Sequence, residues 1–353
     1  MARLSALKLS MTTTILLVGI VFAIFLAILM YIISIFWQLP SLEMYGIAVI
    51  GSVFFIFIEY LIGPSVVSAA TNLRYLGPDE NPWLEETVTK LANKSGLPTP
   101  KLAIVSDETP NAFVFGRTAG SATLAVHEGL LQQLTQKEVE GVIGHELGHI
   151  KHKDYLVMTA LAAVPLIAYM IARLSFETMR HGRIRTKGKG GALALATIVV
   201  AAAVSYVAYL IAQLCVMRLS RLREHYADAY SAYLTESPRE LESALTKITY
   251  GLSLSPKPPS GVRTFYIGDP ALAKQEFQEI LFKKDEYDLD KNGVLDEREL
   301  ELAMEKEAKN TWLKVNTLFA THPPTYRRIL LLREIENEME SGKFTSDRIY
   351  VHV

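Results

Sequence analysis

The residues best suited to chemistry form the pattern H-E-x-x-H, with His145 and His149 four positions apart and Glu146 after the first histidine. On an α-helix, residues four apart lie on one face, one turn apart. Both imidazoles could therefore bind one zinc ion, and Glu146 could act as general base toward a water on that ion. The alternative is a pair of surface histidines on an amphipathic helix.

A catalytic zinc ion usually takes a third protein ligand and keeps one position open for water. The next histidine, His152, is too close along the chain to match the longer spacing of three-histidine sites. A downstream carboxylate is the usual substitute, and Glu224 is the candidate. Asp228 is one helical turn further on and could accept a hydrogen bond from a ligand histidine. Taken without the upstream motif, both carboxylates would be read as a solvated helix face.

The elements that must position this motif can be predicted from local signals. Asn81-Pro82 indicates a helix start, and that helix is expected to end near Lys94. Short strands are predicted at 101–105, 111–116 and 122–126. Thr135 and Glu138 form a capping box that opens the H-E-x-x-H helix. A strand beside this helix could pair with an extended peptide, so Asn111, Ala112 and Phe113 are candidate substrate-binding residues.

Four long apolar runs divide the chain, at about 13–37, 44–68, 155–176 and 192–216. Runs of this length are long enough to span a bilayer, which predicts two transmembrane hairpins. Residues 74–154 and 218–353 would then face the same compartment. The alternative for the third and fourth runs is a pair of buried core helices in a large soluble domain.

Two groups of basic residues favour opposite orientations of these hairpins in the membrane. Arg3 and Lys8 favour a cytoplasmic amino terminus, and hence cytoplasmic catalytic segments. The basic loop 180–189 would then face outward, against the positive-inside tendency, unless the last two runs do not fully cross or the orientation is reversed. The net charge of −1 gives no sign of a nucleic-acid partner, and the single cysteine, Cys215, excludes an intrachain disulfide.

A family resemblance rests on four motifs, which are Asn111-Ala112-Phe113, His145-Glu146-Leu147-Gly148-His149, Arg223-Glu224-His225-Tyr226-Ala227-Asp228, and Thr321-His322-Pro323-Pro324 with Arg327 or Arg328. Together with the apolar runs, they resemble the HtpX family of membrane metalloproteases, which are relatives of the CAAX prenyl endopeptidases. The resemblance implies that His145, His149 and Glu224 bind zinc and that Glu146 is the base. It also implies a cytoplasmic active site and the removal of damaged or misfolded membrane proteins.

His322 has two interpretations that the sequence leaves open. In such families this histidine would lie near the site and stabilise the tetrahedral intermediate, where negative charge develops on oxygen. The alternative is a turn histidine that precedes a helix predicted at 325–336.

A second metal site is predicted within about 275–309, an insertion that the HtpX pattern does not typically include. Its loop matches the calcium-binding EF-hand at each ligand position, and glycine occupies the sharp turn at Gly293. The predicted calcium ligands are Asp288, Asp290, Asn292, the backbone carbonyl of Val294, Asp296 and Glu299. The alternative is an acidic turn between two helices.

These observations predict a mainly α membrane protein with four transmembrane helices, a zincin-type α+β catalytic domain with a small β-sheet, and an EF-hand insertion. The expected division is a hairpin at 1–73, catalytic parts at 74–154 and 218–353, and a second hairpin at 155–217. The expected function is a zinc-dependent cell-membrane endopeptidase that acts on membrane or misfolded proteins and is modulated by calcium. A calcium-responsive scaffold with a silent zinc site, or a prenyl-protein-specific endopeptidase, are the alternatives.

Overall fold

The computed structural model describes residues 2–37, 41–181, 189–254 and 320–345, with shorter stretches between 266 and 306 and residue 349. The described residues are mainly helical and include a small sheet. Two compact units divide the chain. One takes Met1–Leu7, Pro64–Tyr155 and Ser220–Val353, and the other takes Lys8–Gly63 and Leu156–Leu219.

The long apolar runs form helices α1 (Ala2–Trp37), α2 (Ser41–Thr71), α6 (Asp154–His181) and α7 (Lys189–Thr235). Within the described residues, three segments are long and apolar enough to cross a membrane: Thr12–Ile32, Leu42–Thr71 and Ala194–Thr235. The third predicted run, 155–176, lies in α6 and is not among them. Three candidate spans are therefore found where the sequence predicts four.

The sheet lies in the unit that contains the H-E-x-x-H motif. It consists of β1 (Arg74–Tyr75), β2 (Lys101–Val105), β3 (Ala112–Phe115) and β4 (Thr123–His127) in the order β1-β2-β4-β3. Strand β2 pairs in parallel with β4, whereas β3 pairs with β4 antiparallel. Among the described strands, β3 is thus an outer strand, which presents one backbone edge away from the sheet.

Two helices begin at the capping residues that the sequence predicts. Helix α3 (Pro82–Ser95) is capped by Asn81, whose side chain accepts a hydrogen bond from the Leu84 amide. Helix α4 (Glu128–Gln133) leads into α5 (Gln136–Lys151), where both hydrogen bonds of the Thr135–Glu138 capping box are present. The prediction of a capped H-E-x-x-H helix is therefore confirmed.

The remaining described helices of this unit are α8 (Pro238–Leu254), α9 (Lys284–Tyr287) and α10 (Thr325–Glu340). The main core lies between the sheet and helices α3, α5, α7, α8 and α10. A smaller buried cluster joins the predicted calcium-loop region to α10, and it consists of Ile280, Tyr287, Ala303, Tyr326 and Ile329.

Candidate metal centre

His145 and His149 project from one face of α5 toward a common point. Their Nε2 atoms lie 3.1 Å apart, and His145 is fully buried. When the proton of each ring is on Nδ1, both Nε2 atoms present lone pairs, and two such acceptors this close are unfavourable unless a cation lies between them. Nitrogen atoms aimed at a shared point are the arrangement that a bound cation uses.

Glu224 on α7 brings a carboxylate to the same point. Its Oε2 lies 3.5 Å from Nε2 of His145, and its Oε1 lies 3.5 Å from Nε2 of His149. The three side chains form a cluster whose candidate ligand atoms are all within 4.8 Å of one another. Among the described residues, the buried Oε2 atom accepts no hydrogen bond. Nη1 of Arg328 lies 3.5 Å from this oxygen and balances part of its charge. Two imidazole nitrogens and a carboxylate that converge in this way form a ligand set that fits zinc.

Two glycines of α5 let α7 approach closely enough to deliver Glu224. A Cβ added at Gly148 would lie 3.0 Å from Cα of Ala227, and one at Gly144 would lie 2.8 Å from Oγ of Ser231. Ser231 Oγ also donates a 2.6 Å hydrogen bond to the carbonyl of Gly141, although the two residues are on different helices. Gly148, inside the H-E-L-G-H sequence, therefore has a packing role, because it lets the helix that carries Glu224 lie close to α5.

The other ring nitrogen of His145 is held by Asp228. Its Nδ1 lies 2.9 Å from Oδ1 of Asp228, and the aspartate is fully buried. Arg328 of α10 binds the same carboxylate through two nitrogens, with Nε donating to Oδ2 at 2.8 Å and Nη2 donating to Oδ1 at 2.7 Å. Because a carboxylate can only accept, Asp228 favours the tautomer that leaves Nε2 of His145 free for a metal.

His149 has a corresponding pair of partners that the sequence did not suggest. Its Nδ1 lies 2.6 Å from Oδ2 of Asp154, the first residue of α6. Arg223 of α7 forms an ion pair with Asp154 through Nη2. Asp154 follows the motif by five residues, and only the turn between α5 and α6 brings it back beside His149.

Burial and charge shift the acid–base properties of the motif. Burial lowers the pKa of His145, but its contacts with the carboxylates of Asp228 and Glu224 outweigh this effect and raise the pKa to about 9, so the site stabilises a positive charge at this ring. Burial raises the pKa of Glu146, although the neighbouring His149 and His145 oppose the change. A carboxyl group whose pKa moves toward neutrality is better suited to accept and then return a proton.

His322 lies beside the third carboxylate. The residue is buried, its Nδ1 lies 2.9 Å from Oγ1 of Thr321, and its Nε2 lies 3.6 Å from Oε1 of Glu224. It precedes α10 in the Thr321–Pro324 segment, which also puts Arg328 within reach of Asp228. The fold thus brings His322 to the cluster from the far end of the chain.

The candidate substrate-binding residues contribute buried side chains. Asn111, Ala112 and Phe113 are each less than 5% exposed. The Asn111 side chain accepts a 2.9 Å hydrogen bond from the amide of Ile267, so it anchors a neighbouring segment. Any peptide contact at this position would therefore use the main chain of β3.

Half of the predicted calcium loop can be described. The carboxylates of Asp288, Asp290 and Glu299 lie close enough together to share a cation. Oε1 of Glu299 accepts hydrogen bonds from the amides of Leu289 at 2.6 Å and Asp290 at 3.3 Å. The other predicted ligands, Asn292, Val294 and Asp296, lie outside the described residues.

Two histidines on one helix and a glutamate from a second helix form the ligand set of a class of zinc peptidases. Residues 78–336 match the model of Peptidase family M48. The chain belongs to this family and is a metalloprotease. Peptidases of the family use zinc, and membership implies polypeptide substrates and association with a membrane.

Curated relatives agree with this assignment. The Protease HtpX homolog of Methanothermobacter thermautotrophicus is 38% identical over 256 residues, which is 72% of this chain and 90% of that protein. The homolog from Thermococcus sibiricus is 34% identical over 291 residues, covering 80% of this chain and 84% of the relative. The homolog from Methanocaldococcus jannaschii is 35% identical over 278 residues, covering 79% of this chain and 84% of the relative.

A more distant likeness is to the crystal structure of S. mikatae Ste24p. The TM-score is 0.45 at 15% sequence identity, over 93% of this chain and 65% of that protein. The chain therefore spans slightly less than two thirds of the length of Ste24p, and likeness at this level carries no inference about the site.

Proposed function

We propose that this protein is a zinc-dependent membrane endopeptidase, with zinc held by His145, His149 and Glu224. The observation that carries the proposal is the convergence of these three side chains, whose candidate ligand atoms all lie within 4.8 Å of one another. Asp228 orients His145 through its Nδ1. The family assignment supports the same reading of the motif.

The side chains at this centre suit peptide-bond hydrolysis. Zinc, when bound, supplies Lewis-acid charge that favours attack of water on a carbonyl. Glu146 accepts a proton from the attacking water, and the water oxygen bonds to the carbonyl carbon. Glu146 then returns that proton to the amide nitrogen as the C–N bond breaks. His322 would donate a hydrogen bond to the carbonyl oxygen, on which negative charge develops.

The substrate would lie against β3 as an added strand. Its sheet position leaves one backbone edge without a described strand partner, and an extended peptide binds such an edge by main-chain hydrogen bonds. Of the candidate residues, Ala112 would take part through its main-chain atoms, because those of Asn111 and Phe113 face β4, and the carbonyl of Asn111 accepts a hydrogen bond from the amide of His127. Binding of this kind tolerates many sequences, which suits an enzyme that removes misfolded proteins.

The substrates are proposed to be membrane or misfolded proteins, in a quality-control role at the cell membrane. The apolar helices support a multi-pass arrangement, and α6 would supply the fourth span. The catalytic segments are placed in the cytoplasm, as Arg3 and Lys8 favour. Cysteine-accessibility labelling of residues introduced between positions 180 and 189 tests this topology, because a cytoplasmic label there would contradict it.

A calcium ion is proposed to bind the loop at 288–299 and to modulate the enzyme. Asp288, Asp290 and Glu299 converge as an EF-hand requires. Tyr287, directly before the loop, is buried against Tyr326 and Ile329 of α10. Because the same helix carries Arg328, ordering of the loop would stabilise the partner of Asp228.

The function is tested by purifying the full chain in detergent and measuring cleavage of an unfolded model protein. Cleavage should stop on removal of zinc by a chelator and return when zinc is restored. Cleavage that persists in metal-free protein would overturn the zinc mechanism.

A further inference from the structure

We propose that Asp154 and Arg223 form a buried positioning pair, which fixes the metal-binding orientation of His149 and ties the helix of the third ligand to α5. The inference rests on the proposed zinc function. Neither residue would touch the metal or the substrate, so both would act through His149 and Glu224.

A hydrogen bond joins the carboxylate of Asp154 to the ring of His149. Oδ2 of Asp154 lies 2.6 Å from Nδ1 of His149, and the aspartate is 6% exposed. A carboxylate accepts only, so Nδ1 must carry the proton and Nε2 keeps its lone pair. That Nε2 atom lies 3.1 Å from Nε2 of His145. The contact with Asp154 therefore aims the free nitrogen at the metal centre.

The turn between α5 and α6 places Asp154 beside His149. Helix α5 ends at Lys151, and α6 begins at Asp154. Between them, Lys153 has a φ of 57°, in the left-handed region that residues other than glycine seldom adopt. Such a conformation persists where the surroundings hold it. Here it turns the chain so that Asp154 meets His149 five positions earlier.

Arg223 balances the buried charge of Asp154. Its guanidinium pairs with the carboxylate through Nη2 and donates to the carbonyl of His152 at 3.3 Å. Arg223 is 3% exposed. A buried carboxylate that lost this partner would be strongly disfavoured. Since Arg223 precedes Glu224, the same ion pair also holds the third ligand's helix against the end of α5.

The pair at His149 repeats the arrangement at His145. Asp228 contacts Nδ1 of His145, and Arg328 binds Asp228 in turn. In each case a buried arginine from outside α5 supports an aspartate, and the aspartate supports a ligand histidine. Two separate segments of the chain thus produce the same aspartate–histidine contact, which argues that orientation of the ligands is its purpose.

The test compares Asp154→Asn and Arg223→Met with a control ion pair that is separate from the metal cluster, in which Glu138 is buried and Lys247 is partly exposed. Lys247 binds Glu138 at 2.5 Å in the same unit, so Lys247→Met removes a similar charge pair. Each full-length variant is purified in detergent. Zinc affinity is measured by competition with a chelator, and the ligand field is read from the visible spectrum of the cobalt-substituted protein.

We expect Asp154→Asn to weaken zinc binding by about ten- to a hundredfold and to shift the cobalt absorption bands. Arg223→Met should have a smaller effect, and the double variant should lose less than the sum of the two, because Arg223 acts through Asp154. Lys247→Met should lower the melting temperature but leave zinc affinity and spectrum unchanged. If Asp154→Asn does not fold, Arg223→Met and Arg223→Lys decide, with lysine expected to restore part of the affinity.

The inference is overturned if folded Asp154→Asn or Arg223→Met keeps the parent's zinc affinity and cobalt spectrum while losing stability as Lys247→Met does. Failure of the proposed function has a different signature. In that case the parent protein itself would bind no zinc, or His149→Ala would bind it as tightly as the parent.

Discussion

The carboxylate of Glu224 lies 3.5 Å from Nε2 of His149, although the two residues belong to different helices. This contact completes the proposed ligand set, which α5 alone cannot provide. Glu224→Gln removes the charge but keeps the volume, so we expect zinc affinity to fall by at least about tenfold. Zinc content after dialysis against a chelator measures the effect, and a variant that retains zinc like the parent would remove Glu224 from the centre.

The close packing of α5 and α7 can be tested at Gly148. In Gly148→Ala, the new Cβ would meet Cα of Ala227 at 3.0 Å, so the helices must separate. We expect a loss of about 1–3 kcal/mol in the free energy of unfolding, with weaker zinc binding because Glu224 moves with α7. Gly120→Ala is the control, since nothing lies within 4 Å of its Cβ position. Equal effects of the two substitutions would refute the packing role.

Calcium binding can be tested on the full chain by isothermal titration. We expect a dissociation constant at or below about 1 mM. Glu299→Gln should weaken binding, because Glu299 is buried beside Asp288. Glu286→Gln removes a nearby exposed carboxylate outside the loop and should change nothing. No heat of binding at millimolar calcium in the parent would reject the EF-hand hypothesis.

The free energy of unfolding should depend on pH through Glu138, which caps the start of α5. Burial raises the pKa of Glu138, but hydrogen bonds from Lys247 and Ser243 outweigh it, so the net pKa is lowered from its usual 4.5. A lowered pKa in the folded state adds stability above the unfolded value, and this stability is lost as pH falls through the folded value. Unfolding free energy should therefore decline below about pH 4.5 in the parent and decline less in Glu138→Gln. Identical pH profiles of the two proteins would show that ionisation of Glu138 does not contribute to the free energy of unfolding.

Much of the fold could be predicted because its signals are local. Strand β2 spans Lys101–Val105 as predicted, and α3 and α5 begin at their predicted caps. Helix α10 begins at Thr325 as expected but continues to Glu340, beyond the predicted residue 336. The pairing of His145 with His149 followed from helical spacing alone, since both residues lie on one element.

The supporting residues could not be predicted because they depend on contacts between elements. Asp154 reaches His149 only through the left-handed turn at Lys153. Arg328 belongs to one of the four sequence motifs, but its two hydrogen bonds to Asp228 require α10 to pack near α7. The packing purpose of Gly148 likewise appears only when Ala227 lies opposite it.

The most direct test of the zinc peptidase account is the Glu146→Gln variant. Glu146 is buried within the motif but is not proposed as a ligand, so the variant should keep its zinc while losing the proton acceptor. We expect zinc content equal to that of the parent and cleavage of an unfolded protein reduced by about 10²- to 10⁴-fold. Cleavage by zinc-loaded Glu146→Gln at the parent's rate would contradict the account.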